Sequence, residues 1–263
     1  MSPIKEQQLP QPPSKLKPTL TLVLILLAIW LSAIKADVRI SEFFLSFGNM
    51  WELIAQMFPP NWAYFDNIVV PMLETLRMAV VGTTIGAIIS VPIALFSASN
   101  LIQTRWIHYP VRFVLNLIRT VPELLLAAIF VAIFGLGPLP GILAISLFSV
   151  GIIAKLTYES IEAIDKGPLE AMTAVGANKI QWIVFAVIPQ VAAYFISYVL
   201  YTFEVNVRAA AILGLVGAGG IGLYYDHTLG FLEYDKTNMI IIFTLVVVLI
   251  IDYISTKLRE KLL

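Results

Sequence analysis

The chain has 263 residues, 59% of them hydrophobic and 13% charged, with a formal net charge of +0 and a cysteine count of 0. That is a membrane composition, and it argues against an ordinary soluble enzyme. Disulfide and thiol chemistry are excluded, and the balanced charge gives no basis for nucleic-acid binding.

The N-terminal tail, 1–18, carries Lys5, Lys15 and Lys17, and its Gln- and Pro-rich stretch 7–13 predicts disorder. A bilayer span takes about 20 apolar residues. The first candidate is 19–36. Its basic flank resembles a signal peptide, but the apolar run is long and no small-residue cleavage site is clear. It reads as a retained anchor. Polar sequence follows over 37–71. Phe43, Phe44, Phe47, Met50, Trp51 and Ile54 are interleaved there with Glu42, Asn49, Glu52 and Gln56. That pattern suits a helix lying in the membrane interface, and equally one packed against the spans.

Five further spans are predicted over 72–98, 113–135, 139–161, 183–204 and 239–254. The breakers Gly135, Gly137, Pro138, Pro140 and Gly141 make a tight turn between the third and fourth. The predicted architecture is an all-α, polytopic membrane helical bundle of about six transmembrane helices.

Lys and Arg set the orientation. With the N-terminus inside, Lys5, Lys15, Lys17, Arg105, Arg112, Lys155, Lys166, Lys179, Lys257, Arg259 and Lys261 fall at the cytoplasmic side. Lys35, Arg39, Arg77, Arg208 and Lys236 fall outside, and Arg119 lies within a span. The balance predicts both termini in the cytoplasm. Residues 205–238 are then external, or dip in from outside.

Charges in apolar segments are costly and mark candidate functional positions. Glu74 and Arg77 are spaced i,i+3, while Arg119 with Glu123 and Glu204 with Arg208 are spaced i,i+4. Each acid can meet a base on its own helix face. Pairing for its own sake is one reading. The other is that the arginines line a path for an anion, because a planar guanidinium matches phosphate-like oxygens. Pro122, just after Arg119, is expected to bend the helix and open carbonyls to a cavity.

Asp165, Lys166, Asn178, Lys179 and Gln181 form a polar island between the fourth and fifth spans, on the cytoplasmic side. Gly167 can cap a helix that Pro168 opens, and Glu170 then meets free backbone N–H groups. Gly176 can end that helix in a left-handed conformation, and Asn178 can cap the next. Gly217-Ala218-Gly219-Gly220-Ile221-Gly222 fits G-x-G-x-x-G, but no soluble strand precedes it, so dinucleotide binding fails on context. A flexible or tightly packed glycine loop is the better reading. His108 and His227 are far apart in sequence and make a poor metal site. No nucleophile–base arrangement or P-loop stands out.

Glu170-Ala171-Met172, then Gly176, then Ala186-Val187-Ile188-Pro189, resembles the EAA loop of permease subunits of ATP-binding-cassette importers. The family pattern is E-A-A, three residues, G, nine residues, I-x-L-P. The departures at Met172, Ala186 and Ile188 are apolar exchanges. The runs Arg119 to Leu124, Tyr158 to Asp165 and Asn206 to Gly222 are similar to the phosphonate-type branch, although methionine permeases carry a related glycine-rich segment.

The resemblance implies a permease core over 72–263 with a coupling loop at 162–182, preceded by an anchor and external segment over 19–71. It implies a homodimeric pore in a bacterial cell membrane and a cytoplasmic ATPase that binds ATP and magnesium, with no cofactor in this chain. It also implies an extracytoplasmic binding protein delivering phosphonate or a related oxyanion. The coupling residues are then Glu170, Ala171, Met172, Gly176, Ile188 and Pro189. The translocation-path candidates are Arg119, Glu123, Glu204, Arg208, Gly217, Gly219 and Gly220. The alternatives are an importer permease for another small solute, such as an amino acid, and a membrane scaffold without transport.

Overall fold

The computed structural model describes residues 16–36, 40–102 and 104–262. The reading of 7–13 as disordered, and the positions of Lys5, Lys15 and Arg39, lie outside them. The described residues are helical with no strand. The chain divides into two compact units, with the boundary between Ile54 and Ala55.

The first unit holds α1 (Leu16–Lys35), α2 (Ile40–Leu45) and most of α3 (Phe47–Gln56). α1 is long and apolar enough to cross a membrane, and none of its residues is buried. The segment expected to form one interfacial helix is two short helices hinged at Ser46, and Phe47, Trp51 and Ile54 are exposed on α3.

The second unit is built on α4 (Phe65–Ser97) and α7 (Pro138–Glu162). Gly82 and Gly86 of α4 are one turn apart and face Ile145 and Ser149 of α7. A Cβ on Gly82 would stand 2.6 Å from Ile145 Cγ2, and one on Gly86 would overlap the Ser149 side chain. Small residues one turn apart let two backbones approach closely, which is how helices associate where lipid removes the hydrophobic drive.

α10 (Ile188–Leu213) lies across this pair. Asn206 Nδ2 donates to Thr83 Oγ1 and to Ser149 Oγ, each at 2.7 Å, and Asn206 is fully buried. Thr83 and Ser149 lie near the midpoints of α4 and α7, so Asn206 marks the mid-level of the bundle. α12 (Tyr234–Leu262) packs on α10 and is tied at its start by Asn61 to Asp235, at 3.0 Å.

The predicted span 113–135 is not one helix. It is α5 (Arg105–Thr120) and α6 (Glu123–Phe134), bent by 88°. Val121 is extended at φ −88°, ψ 120°, as a residue before proline prefers, and Pro122 supplies no N–H to continue the ladder. Counting this pair as one, six segments are apolar enough to cross a membrane; otherwise five are. The fifth predicted span also runs further than 204, to Leu213.

The α4–α7 contact predicts an asymmetry between glycines. Gly82→Val is expected to destabilise the solubilised protein by about 1–3 kcal/mol through overpacking. Gly48→Val, with open space around it, is expected to cost no more than ~0.5 kcal/mol. Thermal unfolding in detergent compares the two, and equal melting temperatures would contradict the packing described.

Candidate functional site

The polar island folds as its sequence signals direct. α8 (Gly167–Ala174) opens with Pro168 in its first turn. The cap is one residue earlier than expected, at Lys166, with Gly167 inside the helix and its N–H donated to Asp165 Oδ1 at 3.0 Å. Glu170 stands in the first turn, where a carboxylate complements the helix dipole.

α8 ends at Gly176, whose φ of +74° a side chain would resist. Gly176 N–H reaches Thr173 O and Ala177 N–H reaches Met172 O, both at 3.0 Å. These two bonds are a Schellman ending. Asn178 then caps α9 (Lys179–Trp182): its Oδ1 accepts from Gln181 N–H, and Gln181 Oε1 accepts from Asn178 N–H, both at 2.9 Å. A π-turn over Ile183–Val187 leads into α10, where Pro189 in the first turn has no N–H to offer residue 185.

The loop is held at its base. Trp182 Nε1 donates to the carbonyl of buried Leu169 at 3.1 Å, and Gln190 Oε1 accepts from Asp165 N–H at 3.0 Å. Lys179 Nζ donates to Leu101 O at 3.3 Å, beside a cavity of about 690 Å³ between the loop and the end of α4. Glu162 anchors the stem: it accepts from Ser99 N–H at 2.8 Å and pairs with Arg112, whose Nε donates to Ser97 O at 2.8 Å. In contrast, Val175 and Ile180 at the tip are 78% and 74% exposed.

The path candidates separate into three groups. Glu204 and Arg208 form the expected pair, Arg208 NH2 to Glu204 Oε1 at 2.6 Å. A second guanidinium joins them, because Arg259 NH2 donates to Glu204 Oε2 at 2.9 Å. Asp252 of α12 also faces the Glu204 carboxylate. Glu204 and Arg208 lie two residues to either side of Asn206 along α10.

The second group is the glycine loop. Gly217, Gly219 and Gly220 are buried at φ +83°, +85° and +72° between a short 3₁₀ turn and α11 (Ile221–Gly230). Gly137 N–H donates to Gly217 O at 3.0 Å, and Ile221 N–H donates to Thr75 Oγ1 at 2.8 Å. The packed reading of this loop is the one observed. Its irregular backbone is enclosed by protein.

The third group corrects two expected pairs. Among the described residues Arg119 and Glu123 form no ion pair, because the break at Val121–Pro122 removes their shared helix face. The Arg119 stem lies instead on Gly151 of α7, where a Cβ would stand 2.7 Å from Arg119 Cγ. Glu74 and Arg77 do not pair either. The Glu74 carboxylate faces Gly219, whose added Cβ would stand 2.9 Å from Glu74 Oε1.

Sequence reasoning missed Arg259, Asp252 and the Arg112–Glu162 stem, since each partner lies far along the chain. Asn206 carried a usable signal, being an amide between two charges in an otherwise apolar stretch.

Comparison with known proteins agrees with this geometry. The family model described as "Binding-protein-dependent transport system inner membrane component" matches residues 90–262. The permease protein HtxC of Stutzerimonas stutzeri is 40% identical over 215 residues, covering 82% of this chain and 76% of that one. The phosphite transport system permease protein PtxC of the same organism is 37% identical, covering 79% and 76%. The phosphate-import permease protein PhnE of Mycolicibacterium smegmatis is 37% identical over 80% of this chain, but that match is 40% of the longer relative.

Among solved structures, a chain of the inward-facing MetNI methionine ABC transporter superposes with a TM-score of 0.68 at 20% identity, covering 77% of this chain and 99% of that one. At that identity the likeness is one of fold. The chain therefore belongs to the family of binding-protein-dependent transport system inner membrane components, as a multi-pass permease subunit of the phosphonate-type ABC branch.

Proposed function

We propose that this permease imports a phosphorus oxyanion such as phosphite, a phosphonate or phosphate, driven by a separate ATPase that docks on the α8–α9 loop. The observation that carries the docking half is the loop itself. Two capped helices anchored at their base present exposed Val175 and Ile180, and isolated apolar side chains on a rigid polar loop suit insertion into a partner's groove. The substrate half rests on relatives named for phosphite and phosphate transport. It rests also on arginines placed within apolar spans, which suit an anion. Arg119, Glu123, Glu204, Arg208 and the glycine loop are the proposed path.

A delivering binding protein outside the cell and a second copy of this chain complete the assembly. Arg77, Arg119 and Arg208 are all exposed on the single chain. Exposed guanidiniums in a span face water or protein in preference to lipid. ATP and magnesium belong to the ATPase, and both termini face the cytoplasm in this reading.

Uptake of phosphite, a simple alkylphosphonate and phosphate by the reconstituted complex, with methionine and carnitine as controls, tests the substrate. Uptake of a control and of no phosphorus oxyanion would defeat it. The docking half makes a separate prediction. Val175→Glu combined with Ile180→Glu should abolish copurification of the ATPase while the permease keeps its elution volume and melting temperature. Gly176→Val should weaken the same association by straining the left-handed turn, by roughly 1–3 kcal/mol. An intact, fully stimulated complex in both variants would overturn the docking assignment.

A further inference from the structure

The Glu204 cluster holds two guanidiniums on one carboxylate, and they are not equivalent. The Glu204 side chain is 7% exposed. Arg259 is clamped: it donates to Glu204 Oε2 at 2.9 Å and to Thr256 Oγ1 at 3.2 Å, and it lies 5.8 Å from the Tyr201 ring. It also stands in the last turn of α12, where a cation complements the helix dipole. Arg208 has a single ionic contact, Glu204, and its side chain is 50% exposed, against 26% for Arg259. One arginine is fixed; the other has one bond to break and open space to move into.

Resting on the oxyanion reading above, we propose that Arg208 is the group that meets the anion within the bundle, while Arg259 is a positioning residue that keeps Glu204 neutralised when Arg208 leaves it. Removing one partner from a buried ion pair strands the other charge, and that is strongly unfavourable. With Arg259 in place, Glu204 retains a guanidinium throughout, so the release of Arg208 costs only its own hydrogen bond. The freed guanidinium offers two parallel N–H groups to two oxygens of the anion.

Glu204 itself competes with the anion for Arg208 and draws it back. Transport needs a site favourable enough to enter and weak enough to leave, and this competition supplies the second half.

The test compares two double variants that remove the same carboxylate and one guanidinium each. Glu204→Gln with Arg208→Gln leaves Arg259; Glu204→Gln with Arg259→Gln leaves Arg208. Each removes one negative and one positive charge and leaves the net charge of the cluster unchanged, so both should assemble with the ATPase and binding protein. Phosphite uptake by the reconstituted complex should be at least tenfold lower in the variant lacking Arg208, a difference of about 1.4 kcal/mol. Arg208→Lys alone keeps the charge and loses the fork, and should raise KM for phosphite more than it lowers the maximal rate.

Equal uptake by the two double variants would overturn the division of roles while leaving phosphite as substrate. Recovery to wild-type uptake in the variant lacking Arg208 would make that residue a structural partner only, and would also overturn the proposal. Failure of the wild-type complex to take up any phosphorus oxyanion would instead remove the substrate reading, and this inference with it. If the double variants fail to assemble, the claim that Arg259 and Glu204 are a separable pair is wrong, since their joint removal leaves the net charge of the cluster unchanged.

Discussion

Asn206 hydrogen-bonds to Thr83 and Ser149 at once, and the seating of α10 on the α4–α7 pair depends on that three-way contact. An amide in an apolar layer has few alternatives, since an unpartnered polar group there is expensive. A slide of α10 along its axis, or a rotation about it, breaks both bonds. The contact therefore acts as a register pin, and it needs the close approach that Gly82 and Gly86 permit. With the pin set, Glu204 and Arg208 are placed on either side of it, and the C-terminal helix can bring Arg259 to the same carboxylate.

The same constraint shapes both ends of the bundle. Where α10 finishes, the chain cannot stay helical and still turn back, so it passes through glycines at positive φ. The freed backbone groups find Thr75 and Gly137 as partners. At the other end, Glu162 gathers Ser99 and Arg112, and it joins α4, α5 and α7 before the chain leaves for α8. Neither end is a simple connection. Each is a place where polar backbone is satisfied by residues brought from other helices.

How much of this was legible depends on how far apart the partners lie. Capping is local, so Pro168, Gly176 and the Asn178 cap could be read directly, with an error of one residue at Gly167. Pro122 announced a bend, but the sequence did not show that the bend would be 88°, nor that it would cancel the Arg119–Glu123 pairing. Spacing rules for ion pairs assume an unbroken helix, and that assumption held for Glu204 and Arg208 but not for Arg119 and Glu123. Glu74 and Arg77 share a continuous helix and still do not pair, because Glu74 is turned to the glycine loop. Arg259 was read only as an orientation charge. No periodicity links it to a carboxylate 55 residues away.

α10 joins the two regions of interest in one rod. It starts at Ile188, directly after the loop with exposed Val175 and Ile180, and carries Glu204, Asn206 and Arg208 toward its far end. A straight helix transmits displacement along its length far better than a loop does, and the π-turn at Ile183–Val187 is the natural place for the rod to flex. A pull on the loop would therefore be felt first at that turn and then at the register pin. Asn206 has two short bonds to give up before α10 can move on α4 and α7. The Arg208–Glu204 pair lies within α10 and travels with it, so the ionic tie that a displacement would strain is the one from Arg259 of α12 to Glu204. Across the helix interfaces the ionic cluster has that one bond and the amide has two. The cluster is thus the softer tie and the amide the stiffer one.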